Sequence, residues 1–217
     1  MSALASGDLL QIGLSVAVLI ASLSFHEAAH AWAADRLGDP TARMLGRLSL
    51  NPLVHIDPVG TVLFPLLAIA TGLPLIGWAR PVPVNPARLA SPRRDFAIVA
   101  AAGPASNLVL AVVAGFAFRT LEQVVGFGGS FSQPTDVLAY AAYFAVVINV
   151  LLAVFNLIPV PPLDGGNILA GIVPAPVAGL IDRLRPYGFI LLYGLMLSGA
   201  LTRVILPVQR VLRGWLL

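Results

Sequence analysis

The chain has 217 residues, of which 58% are hydrophobic and 11% are charged, and its mean hydropathy is +0.90. This composition excludes a soluble globular domain and indicates an integral membrane protein. The net charge is +3 and every basic residue is an arginine in or near a short loop, so we read the arginines as topology signals and expect no nucleic-acid partner. The chain has no cysteine, so a disulfide or a thiolate metal site is impossible.

Five apolar runs are candidate membrane segments, to be compared with the ~20 residues needed to cross a bilayer. They span about 9–34, 61–78, 95–119, 137–158 and 187–206. Four of them predict complete helices. The 61–78 run is short and is interrupted by Gly72 and Pro74, so it forms either one helix or a re-entrant hairpin. We predict an all-α polytopic membrane protein of about four to six transmembrane helices, with a re-entrant or β-hairpin-like element at that run.

The distribution of charge favours the hairpin. Arginines crowd the loops on both sides of the 61–78 run, at Arg36, Arg43, Arg47, Arg80, Arg88, Arg93 and Arg94. The positive-inside rule prefers both loops in the cytoplasm, which predicts an N-terminus outside and a first helix that runs inward. The second loop, 79–94, has prolines at alternate positions. It is either a membrane-surface loop or an edge strand that pairs with an unwound substrate.

The first apolar run carries an H-E-x-x-H motif, Phe25-His26-Glu27-Ala28-Ala29-His30. Residues four apart share one face of a helix, so His26 and His30 can hold one Zn²⁺ while Glu27 stands beside a water at the metal. Polar side chains at this depth in a membrane indicate a functional site. A catalytic zinc usually takes three protein ligands, so a third ligand must come from elsewhere in the chain.

Two acidic residues are candidates for the third ligand, Asp57 in a turn-rich loop and Asp164. Asp164 follows a long apolar helix that Pro159, Pro161 and Pro162 terminate. Glycines directly after Asp164 let the backbone turn closely behind it. We therefore prefer Asp164.

Three motifs together resemble the site-2 protease family of intramembrane zinc metalloproteases. They are H-E-A-A-H, Gly103-Pro104-Ala105-Ser106-Asn107, and the Asn156 to Gly165 stretch that contains Pro159, Pro161, Pro162, Leu163 and Asp164. The resemblance covers about residues 22–168 in the order of the family. It implies that His26, His30 and Asp164 bind one zinc ion and that Glu27 is the catalytic base. It also implies a membrane-anchored protein substrate, cut in or near its transmembrane helix on the cytoplasmic side of the membrane.

Larger members of that family carry a PDZ or other regulatory domain, or an extra helix ahead of the motif helix, for which this chain has no room. We expect one peptidase domain over residues 1–217, with a C-terminal helix at about 187–206, in a prokaryotic plasma membrane. Its partners are then the lipid bilayer and the membrane-anchored substrate. The sequence gives no oligomeric state.

Three further polar residues have two interpretations each. Asn107 either makes hydrogen bonds between packed helices or positions the substrate. Asn156 either makes such hydrogen bonds or binds the substrate backbone or the oxyanion. His55 is either a satisfied loop histidine or a donor to the tetrahedral intermediate. For Asn149 we predict only a structural role.

Two other functions compete with proteolysis. A transporter or metal-ion carrier also places His, Asp and Asn inside a membrane, but it predicts polar residues at several depths, whereas here they gather near one. A catalytically silent zinc-binding scaffold would keep the histidines, and the intact Glu27 argues against it.

Overall fold

The computed structural model describes residues 6–63, 79–125 and 133–217. Its helices are α1 (Ser6–Arg36), α2 (Thr41–Met44), α3 (Pro92–Val125), α4 (Pro134–Asn156), α5 (Asp164–Ile172), α6 (Ala175–Leu184), α7 (Gly188–Leu197) and α8 (Ala200–Leu216). Short helical turns lie at Pro52–Val54, Pro58–Leu63, Pro86–Arg88 and Arg185–Tyr187. No β-strand occurs within these ranges, so the all-α prediction is confirmed.

Three of the described helices, α1, α3 and α4, are long and apolar enough to cross a membrane. A fourth span results if the bent pair α6–α7 and α8 is counted as one. The chain is an integral membrane protein. Because a bilayer offers no water to backbone groups, helices of this length satisfy their own hydrogen bonds while exposing apolar side chains to lipid.

Polar contacts between α1 and α4 show that these helices run parallel. Ser15 Oγ lies 2.9 Å from Tyr140 Oη. Further toward the C-terminal end of both helices, Asn149 Nδ2 donates to Ser22 Oγ at 2.9 Å. Residue numbers therefore rise together on the two helices. The C-terminal ends of α1 and α4 lie at the same end of the bundle.

Helix α3 runs antiparallel to α1 and packs against α1, α4 and α5. His26 Nδ1 lies 2.6 Å from Asn107 Oδ1, whereas His30 Nδ1 lies 2.7 Å from Val99 O. Numbers rise on α1 as they fall on α3. The chain between α1 and α3 therefore begins and finishes at one end of the bundle. The predicted hairpin at 61–78 lies mostly outside the described residues and stays a prediction.

Small side chains let the three long helices approach closely. Ala33 and Ala34 of α1 are buried beside Val99 of α3, and Ala111 of α3 is fully buried beside Val146 of α4. Close backbone approach is the usual basis of helix packing in lipid, where apolar burial alone provides little driving force. This packing brings polar side chains of different helices within hydrogen-bonding distance.

The C-terminal region differs from the single helix predicted at about 187–206. The chain there forms α7 and α8, which meet at an angle of 74°. Gly199 lies at the junction with a φ of 72°, a left-handed conformation that glycine adopts without steric cost. Helix α8 then returns along α4, from Leu201 beside Ile158 to Arg213, whose Nη2 donates to Tyr143 Oη at 2.8 Å.

Candidate metal centre

Three side chains from two helices converge near the C-terminal end of α1. His26 Nε2 and His30 Nε2 lie 3.0 Å apart, as the four-residue spacing predicts. Asp164 Oδ2 lies 3.2 Å from the first nitrogen and 3.4 Å from the second. Within the described ranges these three residues form the group that could hold a metal ion.

The outer nitrogens of both imidazoles are hydrogen-bonded to α3. His30 Nδ1 faces Val99 O, a carbonyl that can only accept, so Nδ1 carries the proton. His26 Nδ1 faces Asn107 Oδ1 at 2.6 Å in the same way. In its neutral form each ring therefore presents an unprotonated Nε2 to the centre, and this is the form that binds a metal.

Asp164 is the first residue of α5 and directly follows the proline-rich turn that connects α4 to α5. Two glycines follow it, and a Cβ on Gly166 would lie 2.7 Å from Pro161 N, so only glycine fits this turn. Asp164 Oδ2 is buried and accepts no hydrogen bond from any described residue. When both imidazoles are neutral, two nitrogen lone pairs and a carboxylate oxygen converge, an arrangement that a divalent cation stabilises. The residues fit a zinc ion.

Gly103 makes room for both rings. A Cβ at this position would lie 2.6 Å from His26 Cε1 and would collide with the His30 ring as well. Asn107, one turn further along α3, reaches His26 from the same helix. The Gly103-Pro104-Ala105-Ser106-Asn107 motif thus packs directly behind the histidines.

The carboxylate of Glu27 faces the opposite wall of the site. Val82 N–H donates to Glu27 Oε2 at 3.1 Å. Val82 belongs to the proline-rich segment 79–85, which is tied down on either side. Arg80 N–H donates to His55 O at 2.8 Å, and Asn85 N–H donates to Asp39 Oδ2 at 2.6 Å.

A cavity of about 650 Å³ connects these groups. Its polar part contains His26, Glu27, His30, Asp164, Asn156 and Asn167. Its other walls are apolar and come from α3, α4, α7 and the proline-rich segment 79–85. The site combines a candidate metal centre, a carboxylate and an apolar cleft large enough for a stretch of polypeptide.

The remaining predicted residues lie at different distances from this cleft. Asn156 lines it and donates to Leu152 O at 3.0 Å. Asn107 stands behind His26. His55 is not among the described residues that line the cleft, and its Nε2 lies 2.8 Å from Ser49 O. Asp57, the alternative third ligand, accepts hydrogen bonds from Val59 N and Gly60 N in its own loop.

Sequence reasoning missed three contributors to the site: Ser22, the Val82 N–H and the contact between Asn149 and Asn107. Ser22 lies four residues before His26, and this spacing could have placed it on the metal-binding face of α1. Nothing in the residue type of Val82 marks it, because its contribution is a backbone group.

Comparisons with known proteins identify the family of the chain. A model of peptidase family M50 matches residues 132–183. YwhC of Bacillus subtilis is 39% identical over 197 residues, which cover 89% of this chain and 84% of that protein. The chain belongs to peptidase family M50. The predicted relationship to the site-2 proteases is confirmed, as is the assignment as a metalloendopeptidase.

A second M50 relative, Rip2 of Mycolicibacterium smegmatis, is 31% identical over 191 residues, which cover 88% of this chain and 69% of that protein. Both relatives carry the name zinc metalloprotease, which supports the predicted zinc cofactor. No solved structure matches the chain.

Proposed function

We propose that this M50 peptidase is a zinc-dependent intramembrane endopeptidase that cuts membrane-anchored proteins in or near their transmembrane segments, as a step of regulated intramembrane proteolysis. The observation that carries the proposal is the position of the metal centre. His26, His30 and Asp164 meet inside a bundle of membrane-length helices, and Glu27 lines the same cleft. A protease that acted on soluble proteins would have no need to bury these groups among lipid-facing helices.

In the proposed mechanism His26, His30 and Asp164 hold the zinc ion. When bound, zinc would supply Lewis-acid chemistry that acidifies the attacking water and polarises the scissile carbonyl. Glu27 takes the proton of the attacking water and later passes it to the leaving amine. The N–H of Val82, which donates to Glu27 Oε2, orients the carboxylate for both transfers.

The substrate must unwind before it is cut, because the carbonyls of a transmembrane helix are already hydrogen-bonded and shielded. We propose that the unwound stretch lies along the proline-rich segment 79–85. Pro81 and Pro83 have no N–H, and the N–H of Val82 is engaged by Glu27 Oε2. The segment would therefore pair with a substrate strand through its backbone carbonyls, which accept hydrogen bonds from substrate N–H groups. Asn156, in the cleft wall, would bind the substrate backbone or the oxyanion.

The proposed orientation places the N-terminus outside and the metal centre on the cytoplasmic side of a prokaryotic plasma membrane. Arginines concentrate at the bundle end where α1 finishes and α3 begins, at Arg36, Arg43, Arg47, Arg80, Arg88, Arg93 and Arg94. The positive-inside rule assigns that end to the cytoplasm. The contact of Arg80 N–H with His55 O holds both sides of the 61–78 run at one end, which supports the return of the chain there.

Cleavage of a membrane-anchored reporter by the purified full chain tests this proposal. We expect a zinc chelator to abolish cleavage and added zinc to restore it. Glu27→Gln should retain zinc and lose about 10²- to 10⁴-fold in rate, the usual contribution of a general base. Zinc-independent cleavage, or full activity of Glu27→Gln, would refute the mechanism. Equal cleavage of a soluble peptide and of the same peptide within a transmembrane helix would refute the proposed substrate class.

A further inference from the structure

A chain of polar side chains crosses the bundle behind the metal centre. It runs from Ser22 on α1 to Asn149 on α4, then to Asn107 on α3, and returns to His26 on α1. The Asn149 Nδ2 to Ser22 Oγ distance is 2.9 Å, Asn107 Nδ2 donates to Asn149 Oδ1 at 2.8 Å, and Asn107 Oδ1 lies 2.6 Å from His26 Nδ1. All four residues are buried. This path, which we call the circuit, thus passes through three helices and returns to α1 four residues from where it began.

Backbone carbonyls fix the direction of the first hydrogen bonds in this circuit. Ser22 Oγ donates its proton to Val18 O at 2.8 Å, because a carbonyl can only accept. The lone pairs of Ser22 Oγ are then left to accept from Asn149 Nδ2. The same amide nitrogen also donates to Ala145 O at 2.9 Å, a second partner that can only accept. The Asn149 nitrogen is therefore held toward Ser22 and Ala145.

The remaining directions follow in turn. With its nitrogen engaged, Asn149 directs Oδ1 toward Asn107 and accepts from Asn107 Nδ2. Asn107 must then direct Oδ1 toward His26, where it accepts from Nδ1–H. In its neutral form His26 is left with an unprotonated Nε2 that faces Asp164. The neutral imidazole has two forms that differ in which nitrogen carries the proton, and the circuit selects the form that can bind a metal.

We propose that Ser22, Asn149 and Asn107 form a positioning relay that sets the tautomer and ring orientation of His26 before the metal binds. This inference rests on the proposed assignment of His26 as a zinc ligand. The relay explains why three polar side chains are buried between apolar helices, where one interhelical hydrogen bond would be enough for packing. It also makes zinc affinity depend on residues that do not contact the metal, as hydrogen bonds to metal-binding histidines do elsewhere.

Ser24 provides a matched control for Ser22. Both serines are buried in α1, with 2% and 3% of their surface exposed, and Ser24 Oγ donates to Ile20 O at 2.8 Å just as Ser22 Oγ donates to Val18 O. Ser24 has no part in the circuit. Ser22→Ala and Ser24→Ala therefore remove the same group from the same helix, and only the first breaks the relay.

The experiment measures two quantities on the purified full chain in detergent. The first is zinc affinity, by competition with a chelating dye. The second is the proton position on each imidazole of the metal-free protein, from nitrogen NMR of histidine-labelled chain, which has only three histidines. We expect Asn107→Leu to weaken zinc binding about 10- to 100-fold. Asn149→Leu should also weaken zinc binding, because Asn149 holds Asn107 in place. Ser22→Ala should cost about 3- to 10-fold and Ser24→Ala nothing measurable.

The tautomer separates a relay from simple packing. In the wild-type chain His26 should carry its proton on Nδ1, whereas in Asn149→Leu and Ser22→Ala a fraction should carry it on Nε2. Equal effects of Ser22→Ala and Ser24→Ala, or an unchanged His26 tautomer and zinc affinity in the asparagine variants, would overturn the relay. If Asn149→Leu fails to fold, the two serine variants decide. If the wild-type chain binds no zinc, the ligand assignment fails, while the His26 tautomer still tests the relay.

Discussion

The two walls of the cleft are built in different ways. On the helical wall, helix geometry and buried hydrogen bonds hold the side chains of His26, His30 and Asp164. The backbone of α3 at Gly103 also packs directly against both imidazole rings. The opposite wall is the proline-rich segment 79–85. It has no helical hydrogen bonds of its own, and its side chains are half-buried or exposed. A few backbone N–H groups and the packing of Val84 against α1 and α3 attach it to the rest of the chain.

This difference separates two requirements of catalysis. A metal centre needs fixed ligand geometry, which rigid packed helices provide. A substrate must enter and leave beside the base, which a wall attached at a few points allows. Changes to the helical wall should therefore affect zinc binding, and changes to the proline-rich segment should affect turnover with zinc retained.

The largest effect is expected for Asp164→Asn. The substitution keeps the size of the side chain but removes the negative charge that would balance a divalent cation, so zinc affinity should fall by about 100-fold or more. Metal content after dialysis measures this. Asp182→Asn is the control, because Asp182 is exposed and pairs with Arg185, not with the candidate metal ligands. Full zinc content in Asp164→Asn would reject Asp164 as a ligand.

A second test of the helical wall is Gly103→Ala, which adds one methyl group behind the histidines. The new Cβ would overlap both rings and displace their Nε2 atoms, so we expect about 10- to 100-fold weaker zinc binding. Gly13→Ala in α1 is the control, because nothing lies within 4 Å of the Cβ it would add. If Gly103→Ala binds zinc as the wild type does, the histidines are not held by this contact.

The contrast between the walls also explains what could be predicted from sequence. The spacing of His26 and His30 fixes their common face on any helix, so their proximity followed from the motif alone. Asp164 could be selected because few carboxylates lie near an apolar run and prolines precede it. Both inferences depend on residue types that are rare in a membrane.

The relative arrangement of the helices could not be predicted in the same way. Helices α1, α3 and α4 are apolar on nearly all sides, so no stripe indicates which face meets which neighbour. The pairing of Asn149 with Asn107 depends on that arrangement. Val82 acts through its backbone N–H, a group that every residue except proline has. The break between α7 and α8 depends on a left-handed backbone at Gly199, which a glycine permits but does not require.

The proline-rich segment is tested most directly by Val82→Pro. It removes the N–H that donates to Glu27 while retaining an extended backbone, so we expect zinc content to be unchanged and kcat to fall about 10- to 100-fold. Val82→Ala keeps the N–H and loses only side-chain contacts, so its kcat should stay near that of the wild type. Equal losses in both variants would show that the side chain matters and the N–H does not.

A smaller effect is expected for Asp39→Asn, which weakens one end of the same wall. Burial raises the pKa of Asp39, but hydrogen bonds from Thr41 and from Asn85 N–H outweigh it and hold the pKa below the ordinary 3.8. Because the folded-state pKa is depressed, the contact contributes full stability above pH 3.8 and loses it as the pH falls through the folded-state value.

Removing the charge should cost about 1.5–3 kcal/mol of stability near neutral pH, with zinc content unchanged and a smaller loss of cleavage than in Val82→Pro. Thermal unfolding as a function of pH measures it. The wild type should lose its advantage over Asp39→Asn as the pH falls below 3.8, because protonation then removes the charge of Asp39, which the variant lacks at every pH. Asp35→Asn, which breaks the neighbouring pair with Arg43, should leave cleavage unchanged. A loss of zinc in Asp39→Asn would mean that the two walls are coupled, since the segment that Asp39 anchors would then also support the metal ligands.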